Sequence, residues 1–209
     1  MVYIPAGIRV DIVQRLGQHG FRELLSFIAA GPDGRDAVFE EEVLRDVDLD
    51  KFIFVSSLAN QGSIFRHFFM RCFHAGNITA KYVEGLRLSV KNGPSRASLN
   101  LMKDAEDYVV YAMFAFGVFV VCAGYYEQGM ESMTVLCNRV GWLDAVLDIG
   151  EPVMAQIADI EPTMDGNYHD TYRYPDGDVP NCVNFACKMD DVCFDCMGYW
   201  YSRRVRNMC

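Results

Sequence analysis

The sequence predicts an all-α protein: a three-helix unit over residues 1–50, antiparallel helix pairs over 60–160, and an irregular acidic linker with a Cys-rich tail over 161–209. Three observations carry this. Apolar residues recur at helical spacing through the N-terminal segment. A self-match at a shift of 32 residues runs through the middle of the chain, and a period in the low thirties is typical of paired-helix repeats. Four cysteines crowd the stretch Cys182–Cys196, which follows a segment without helical period.

The N-terminal unit begins at Pro5, a residue suited to a helix start because its missing N–H costs nothing there. Ile8, Ile12, Val13 and Leu16 form one apolar stripe, and Gln18-His19-Gly20 stops that helix. Phe21, Leu24, Leu25 and Ile28 mark a second helix, and Gly31-Pro32-Asp33-Gly34 reads as a turn. A third helix is expected from about Arg35 to Leu44, with Glu40-Glu41-Glu42 as a solvated face. Three helices in under fifty residues hold too little core to stand alone, so the unit should lean on a partner or on the following helices.

In the repeat, Ala80 falls on Ala112, Gly85 on Gly117, Ala97 on Gly129 and Leu101 on Met133. Small residues match small ones because antiparallel helices approach closely only where Ala or Gly sits at the crossing. Ala80, Gly85, Ala112 and Gly117 are therefore the expected packing positions. The run 109–126 carries no charge and is long enough for a marginal membrane span. A buried helix, or two helices meeting near Gly117 or Gly124, fits it better, because its N-terminal flank is acidic.

Composition limits the function. Asp plus Glu number 28 against 19 Lys plus Arg, a net charge of −9, which disfavours nucleic acid as a partner. Met1 to Pro5 has neither a basic nor an apolar leader segment, so cytoplasm or nucleus is expected and the eight cysteines read as reduced thiols or metal ligands. The sequon Asn77-Ile78-Thr79 is then idle. His19, His67, His74 and His169 are scattered, and no nucleophile elbow, phosphate loop or dinucleotide fingerprint occurs. No enzymatic role is expected.

A family resemblance rests on particular residues. Ile4-Pro5-x-x-Ile8-x-x-x-Ile12-Val13-x-x-Leu16 resembles the start of an F-box, and Glu23-Leu24-Leu25 stands where F-boxes carry an acidic-Leu pair. Cys72-Phe73-x-Ala75-Gly76-Asn77-x-x-Ala80-x-Tyr82-x-x-Gly85 resembles a plant F-box family, in which a degenerate F-box precedes tetratricopeptide- or Sel-type helical repeats and a Cys-rich tail. The likeness covers about residues 3–145. Arg9 stands in place of a usual leucine, Gly20 lacks a capping side chain, and Gly31-Pro32-Asp33-Gly34 replaces the usual Cys-basic-aromatic run.

What the resemblance implies is a substrate receptor of a Skp–cullin–F-box ubiquitin ligase. It would dock a Skp-type adaptor through Ile4, Pro5, Ile8, Ile12, Val13, Leu16, Leu24 and Leu25, and present an unidentified protein substrate on its repeats. The alternatives are a helical-repeat scaffold unconnected with ubiquitin and a small membrane protein spanning 109–126.

In the tail, Cys182, Cys187, Cys193 and Cys196 follow the spacing C-x4-C-x5-C-x2-C. Zinc takes four nitrogen or sulfur ligands at tetrahedral corners, and Cys-x2-Cys supplies two from one turn. The spacer between the pairs is shorter than in common fingers. Zinc at these four positions, with His169 as a substitute ligand, stands against four free thiols. Trp200, Tyr201 and the Arg203-Arg204-Arg206 cluster either pack back on the helices or form a small basic patch.

Overall fold

Pro5 caps the first helix, α1 (Ala6–Gly17), with its own φ at −53° and no side-chain hydrogen bond. The computed structural model describes residues 4–164, 166, 168, 172 and 179–209. Among them the fold is all-α, with no strand. Contacts group the chain into two compact units, Met1–Val83 and Glu84–Cys209.

In the first unit a 3₁₀ turn, Phe21–Leu24, leads into α2 (Leu25–Ala29). Gly31-Pro32-Asp33-Gly34 is not a turn: Pro32 opens α3 (Pro32–Val38), and Asp33 and Gly34 lie inside it. Gly34 has to be glycine because a Cβ would collide with the carbonyl oxygen of Phe27. The helix expected from Arg35 to Leu44 is two helices, α3 and α4 (Glu41–Asp46), separated by the extended residue Glu40. Val38 and Val43 explain the break. In one continuous helix they would point about 140° apart; with the break, both are fully buried.

Beyond α4 come α5 (Asp50–Phe54), a 3₁₀ turn over Ser56–Ala59 and α6 (Arg66–His74). An aromatic cluster fills the centre. Phe21 and Phe52 lie 5.0 Å apart, Phe52 and Phe69 5.1 Å, and Phe21 meets Phe65 edge-on at 5.3 Å. Such pairs add to plain burial when tilted or edge-on.

The sequence Cys72-Phe73-His74-Ala75-Gly76-Asn77 forms the hinge from α6 to α7 (Ile78–Asn92). The Gly76 N–H donates to Phe73 O and the Asn77 N–H to Cys72 O, the bond pair that closes a helix on a left-handed residue. Gly76 supplies that residue, with φ at +86°. Asn77 then does two jobs. Its Oδ1 accepts from the Ala80 N–H at 3.0 Å, capping α7. Its Nδ2 donates to the carbonyls of Val47 at 2.8 Å and Arg45 at 2.9 Å, with Leu44 O at 3.3 Å. The idle sequon is thus a buried anchor, 3% exposed.

The second unit is built around α9 (Val110–Cys122), in which every residue from Ala112 to Cys122 is buried. It packs against α8 (Arg96–Ala105), α10 (Tyr126–Val140), α11 (Leu143–Asp159) and, beyond the short α12 (Cys182–Phe185), α13 (Phe194–Met208). The uncharged run 109–126 is therefore one buried helix, α9, and the turn after it at Gly124, where φ is +92°, with α10 starting at the run's last residue. No helix among the described residues is long and apolar enough to cross a membrane. The tail holds more order than its composition suggests: residues 194–208 are a helix, not an irregular strap. Met197, Tyr201 and Val205, one turn apart, are its buried stripe.

Replacing Asn77 by Ala removes the α7 cap and leaves buried carbonyls at the end of α4 without their donor. At about 1–3 kcal/mol for each buried group left unpaired, we expect Asn77→Ala to lower unfolding stability by about 2–4 kcal/mol in urea titration. A loss under about 0.5 kcal/mol, the level of a neutral surface change, would contradict the anchoring role.

Candidate metal centre and docking face

The Cys-rich segment has no hydrophobic reason to be ordered. No residue from 179 to 195 is buried, and Phe185 is 89% exposed. Yet Cys182, Cys187, Cys193 and Cys196 converge, with all four sulfurs within 4.8 Å of one another. Cys193 Sγ lies 3.6 Å from Cys182 Sγ and 3.6 Å from Cys196 Sγ. All eight cysteines are free thiols. Thiolates at about 2.3 Å from a central zinc ion stand roughly 3.8 Å apart, so the four sulfurs lie within metal-binding distance of one another. His169 lies outside the described residues.

Local structure explains the convergence. Cys193 is the N-cap of α13 and Cys196 its third residue, and each sulfur accepts from the other's backbone N–H. The Cys193 N–H reaches Cys196 Sγ at 3.3 Å. The helix N-terminus favours a thiolate there. Burial pushes the Cys193 thiol up, but the Cys196 backbone N–H and the neighbouring thiols outweigh it and bring it down to about 7. Burial, with Cys193 and Cys187 drawing on its proton, raises Cys182 to about 11. Burial also raises Cys196.

Behind this centre, α13 lies on α9. Gly198 lies close under its neighbours: a Cβ would displace the end of the Met130 side chain and touch Val121 at 3.7 Å. Gly150 on α11 is equally constrained, by the rings of Phe114 and Tyr201, which meet edge-on at 4.9 Å. Tyr201 donates to Glu151 Oε1 at 2.8 Å, and Arg204 pairs with the same carboxylate. Arg204 chiefly, with help from Tyr201, holds the Glu151 carboxyl below its usual range. Arg203 stacks on Tyr199 and Trp200, and Arg206 on Tyr172. Of the basic cluster, then, Arg204 packs back on another helix, while Arg203 stays on its own helix and Arg206 covers Tyr172.

Under α13 lie two thiols that the sequence does not single out as a pair. The Cys122 S–H points to Ser202 O at 3.8 Å and is fully buried; Cys209 is 3% exposed. Burial raises both, Cys209 to about 12. Beside them Tyr168 donates to Ser89 O at 2.6 Å.

The packing positions read from the repeat are all buried. A Cβ on Gly85 would meet Ser98 O at 2.9 Å and Leu101 Cβ at 3.0 Å; one on Gly117 would meet Met133 Cε at 3.0 Å and Gly129 O at 3.2 Å. Leu101 and Met133 are 32 residues apart, as Gly85 and Gly117 are, so the two helix pairs share one crossing register. Ala80 and Ala112 are 0% exposed.

The residues expected to dock an adaptor divide into two groups. Ile8 and Ile12 stand on one face of α1 and are 53% and 40% exposed; Ile4, just before the helix, is 43% exposed and Leu25 46%. Pro5 is exposed and Leu16 half-buried. Val13 and Leu24, by contrast, are 0% exposed; they are core residues of the first unit, so the docking role given them is corrected. Arg9, beside this stripe, pairs with Asp33 on α3 at 2.5 Å.

In the second unit a hollow runs between the α7–α8 turn and α9–α10, bordered by Arg96, Leu99, Asn100, Phe116, Tyr125 and Gln128. Comparison of the chain with family models, curated proteins and solved structures finds no match.

The crossing glycines give a ranked prediction. Gly85→Leu and Gly117→Leu each overpack a helix contact, at about 1–3 kcal/mol. Gly85 should cost more, because its near neighbour is backbone, whereas at Gly117 the Met133 side chain yields. Gly7, with nothing within 4 Å, is the control: Gly7→Ala should melt like wild type or slightly higher. Equal melting of all three variants would contradict the crossing register.

Proposed function

We propose that the protein is a substrate receptor that docks a Skp-type adaptor of a ubiquitin ligase through its first helix and presents a protein substrate on its second unit. The observation that carries the reading is the stripe Ile4, Ile8, Ile12 with Leu25, large apolar side chains that the chain's own fold leaves in solvent. Ile8 and Ile12 are one turn apart on α1, and exposed apolar side chains that gather into a patch are characteristic of a protein-binding surface. The F-box resemblance assigns that surface its partner. The hollow beside Phe116 and Gln128 is the surface open to a substrate. Such a receptor does no chemistry; it raises the effective concentration of substrate beside the ligase.

Zinc belongs to the same reading. Four cysteine thiolates, the whole donor set among the described residues, suit a closed structural site rather than a catalytic one, which keeps a position open. Thiolate sulfur also favours zinc over magnesium or calcium.

Because Ile8 and Ile12 are exposed, Ile8→Asp with Ile12→Asp should leave melting unchanged and abolish capture of a purified Skp-type adaptor, since a carboxylate on a desolvated contact costs several kcal/mol. Wild-type protein that fails to bind the adaptor at micromolar concentration would leave the repeat scaffold as the reading. For the metal, elemental analysis of protein purified without chelator should return about one zinc per chain, lost on replacing Cys193 and Cys196 by Ser.

A further inference from the structure

We infer that zinc at the four-cysteine cluster is the clamp that keeps α13 seated on α9, so that metal loading sets whether the second unit is closed. The inference rests on the zinc reading above and adds to it what the metal controls. The segment before α13 has no apolar core: no residue from 179 to 195 is buried. What its residues share is the convergence of Cys182, Cys187, Cys193 and Cys196. Two of these are the first residues of α13 itself, its N-cap and its third position. A metal joining them to Cys182 and Cys187 therefore fixes the start of the helix rather than a remote loop.

The helix depends on that start. Fifteen residues make only a marginal helix in water without outside support. Its seat is a close one, with Gly198 against Met130 and Tyr201 against Gly150, so a small lift opens a gap that side chains cannot fill. Beyond that seat Glu151 accepts from Tyr201 and pairs with Arg204 at the rim, where ion pairs contribute little, and the far end is seated by Val205 and Cys209. With the sulfurs released, the first turn frays, and the buried stripe Met197, Tyr201, Val205 loses its alignment.

The chain carries its own reporters. Cys122 sits under Ser202 in the middle of α13, and Cys209 ends the helix. Cys72 is buried in the first unit, away from this region in sequence, and Cys137 on α10 is half-buried. Full-length protein, with and without a zinc-selective chelator, is treated with iodoacetamide and each cysteine read by peptide mass spectrometry.

With metal in place we expect Cys137 to label while the four cluster thiols, Cys72, Cys122 and Cys209 stay protected. After chelation the cluster thiols should label, and Cys122 and Cys209 should follow on the timescale of Cys137, while Cys72 stays protected. Cys193→Ser should give the Cys122 labelling without chelator, and added zinc should restore protection only to chelated wild type. Labelling of the cluster with Cys122 still protected would overturn the clamp and leave the zinc reading intact. Cluster thiols that label fully before chelation, in protein without zinc, would overturn both. Labelling of Cys72 together with Cys122 would mean global unfolding and would equally overturn a clamp confined to α13.

Discussion

A helix without a polar side has to be covered on every side. From Ala112 to Cys122 every residue of α9 is more than nine-tenths buried, and that constraint arranges the second unit around it. Two antiparallel neighbours hide only part of a helix surface; α9 has contacts with α8, α10, α11 and α13. The last of these comes from a tail whose composition is polar and Cys-rich. Burial of apolar area at about 25 cal/mol per Å² rewards any element that completes the cover, and Met197, Tyr201 and Val205 give the tail the stripe to do so.

Close approach follows from the same requirement. Gly117 faces Gly129 in the contact with α10, and Gly150 and Gly198 admit the Tyr201 ring and Met130. Larger side chains at these places would hold the surrounding helices off and leave voids, which interiors tolerate poorly. In the first unit the corresponding role falls to hydrogen bonds. Asn77 gathers the carbonyls at the end of α4 while capping α7, so a polar side chain orders two helix ends at once.

The all-α class and the paired crossings were legible because they are written in period: apolar stripes at helical spacing and small residues 32 apart. The four-cysteine set was legible as a spacing, but not its convergence, which depends on Cys193 taking the N-cap of a helix that the polar composition around it conceals. The break between α3 and α4 was illegible because it serves burial of Val38 and Val43 on one core, a tertiary demand that overrides local helix preference. The same demand took Val13 and Leu24 out of the docking stripe: an apolar residue beside an exposed face looks the same in sequence whether it turns in or out. Asn77 was hidden by its motif, since a sequon says nothing about three carbonyls on a helix thirty residues upstream.

The distribution of thiols ties these constraints together. Cys122 and Cys209 lie where burial pushes them up, which makes them inert as nucleophiles and as ligands. Cys193 lies at a helix N-terminus among other thiols, where the backbone N–H of Cys196 helps bring it down to about 7. One residue type thus serves as small core hydrophobe in one place and as metal-ready donor in another, and the difference is set by the helix that separates them. That helix has its donors at its exposed N-terminal end and its packing stripe along the buried face. The metal-ready donors and the cover over α9 are therefore carried by one helix, at its start and along its buried face.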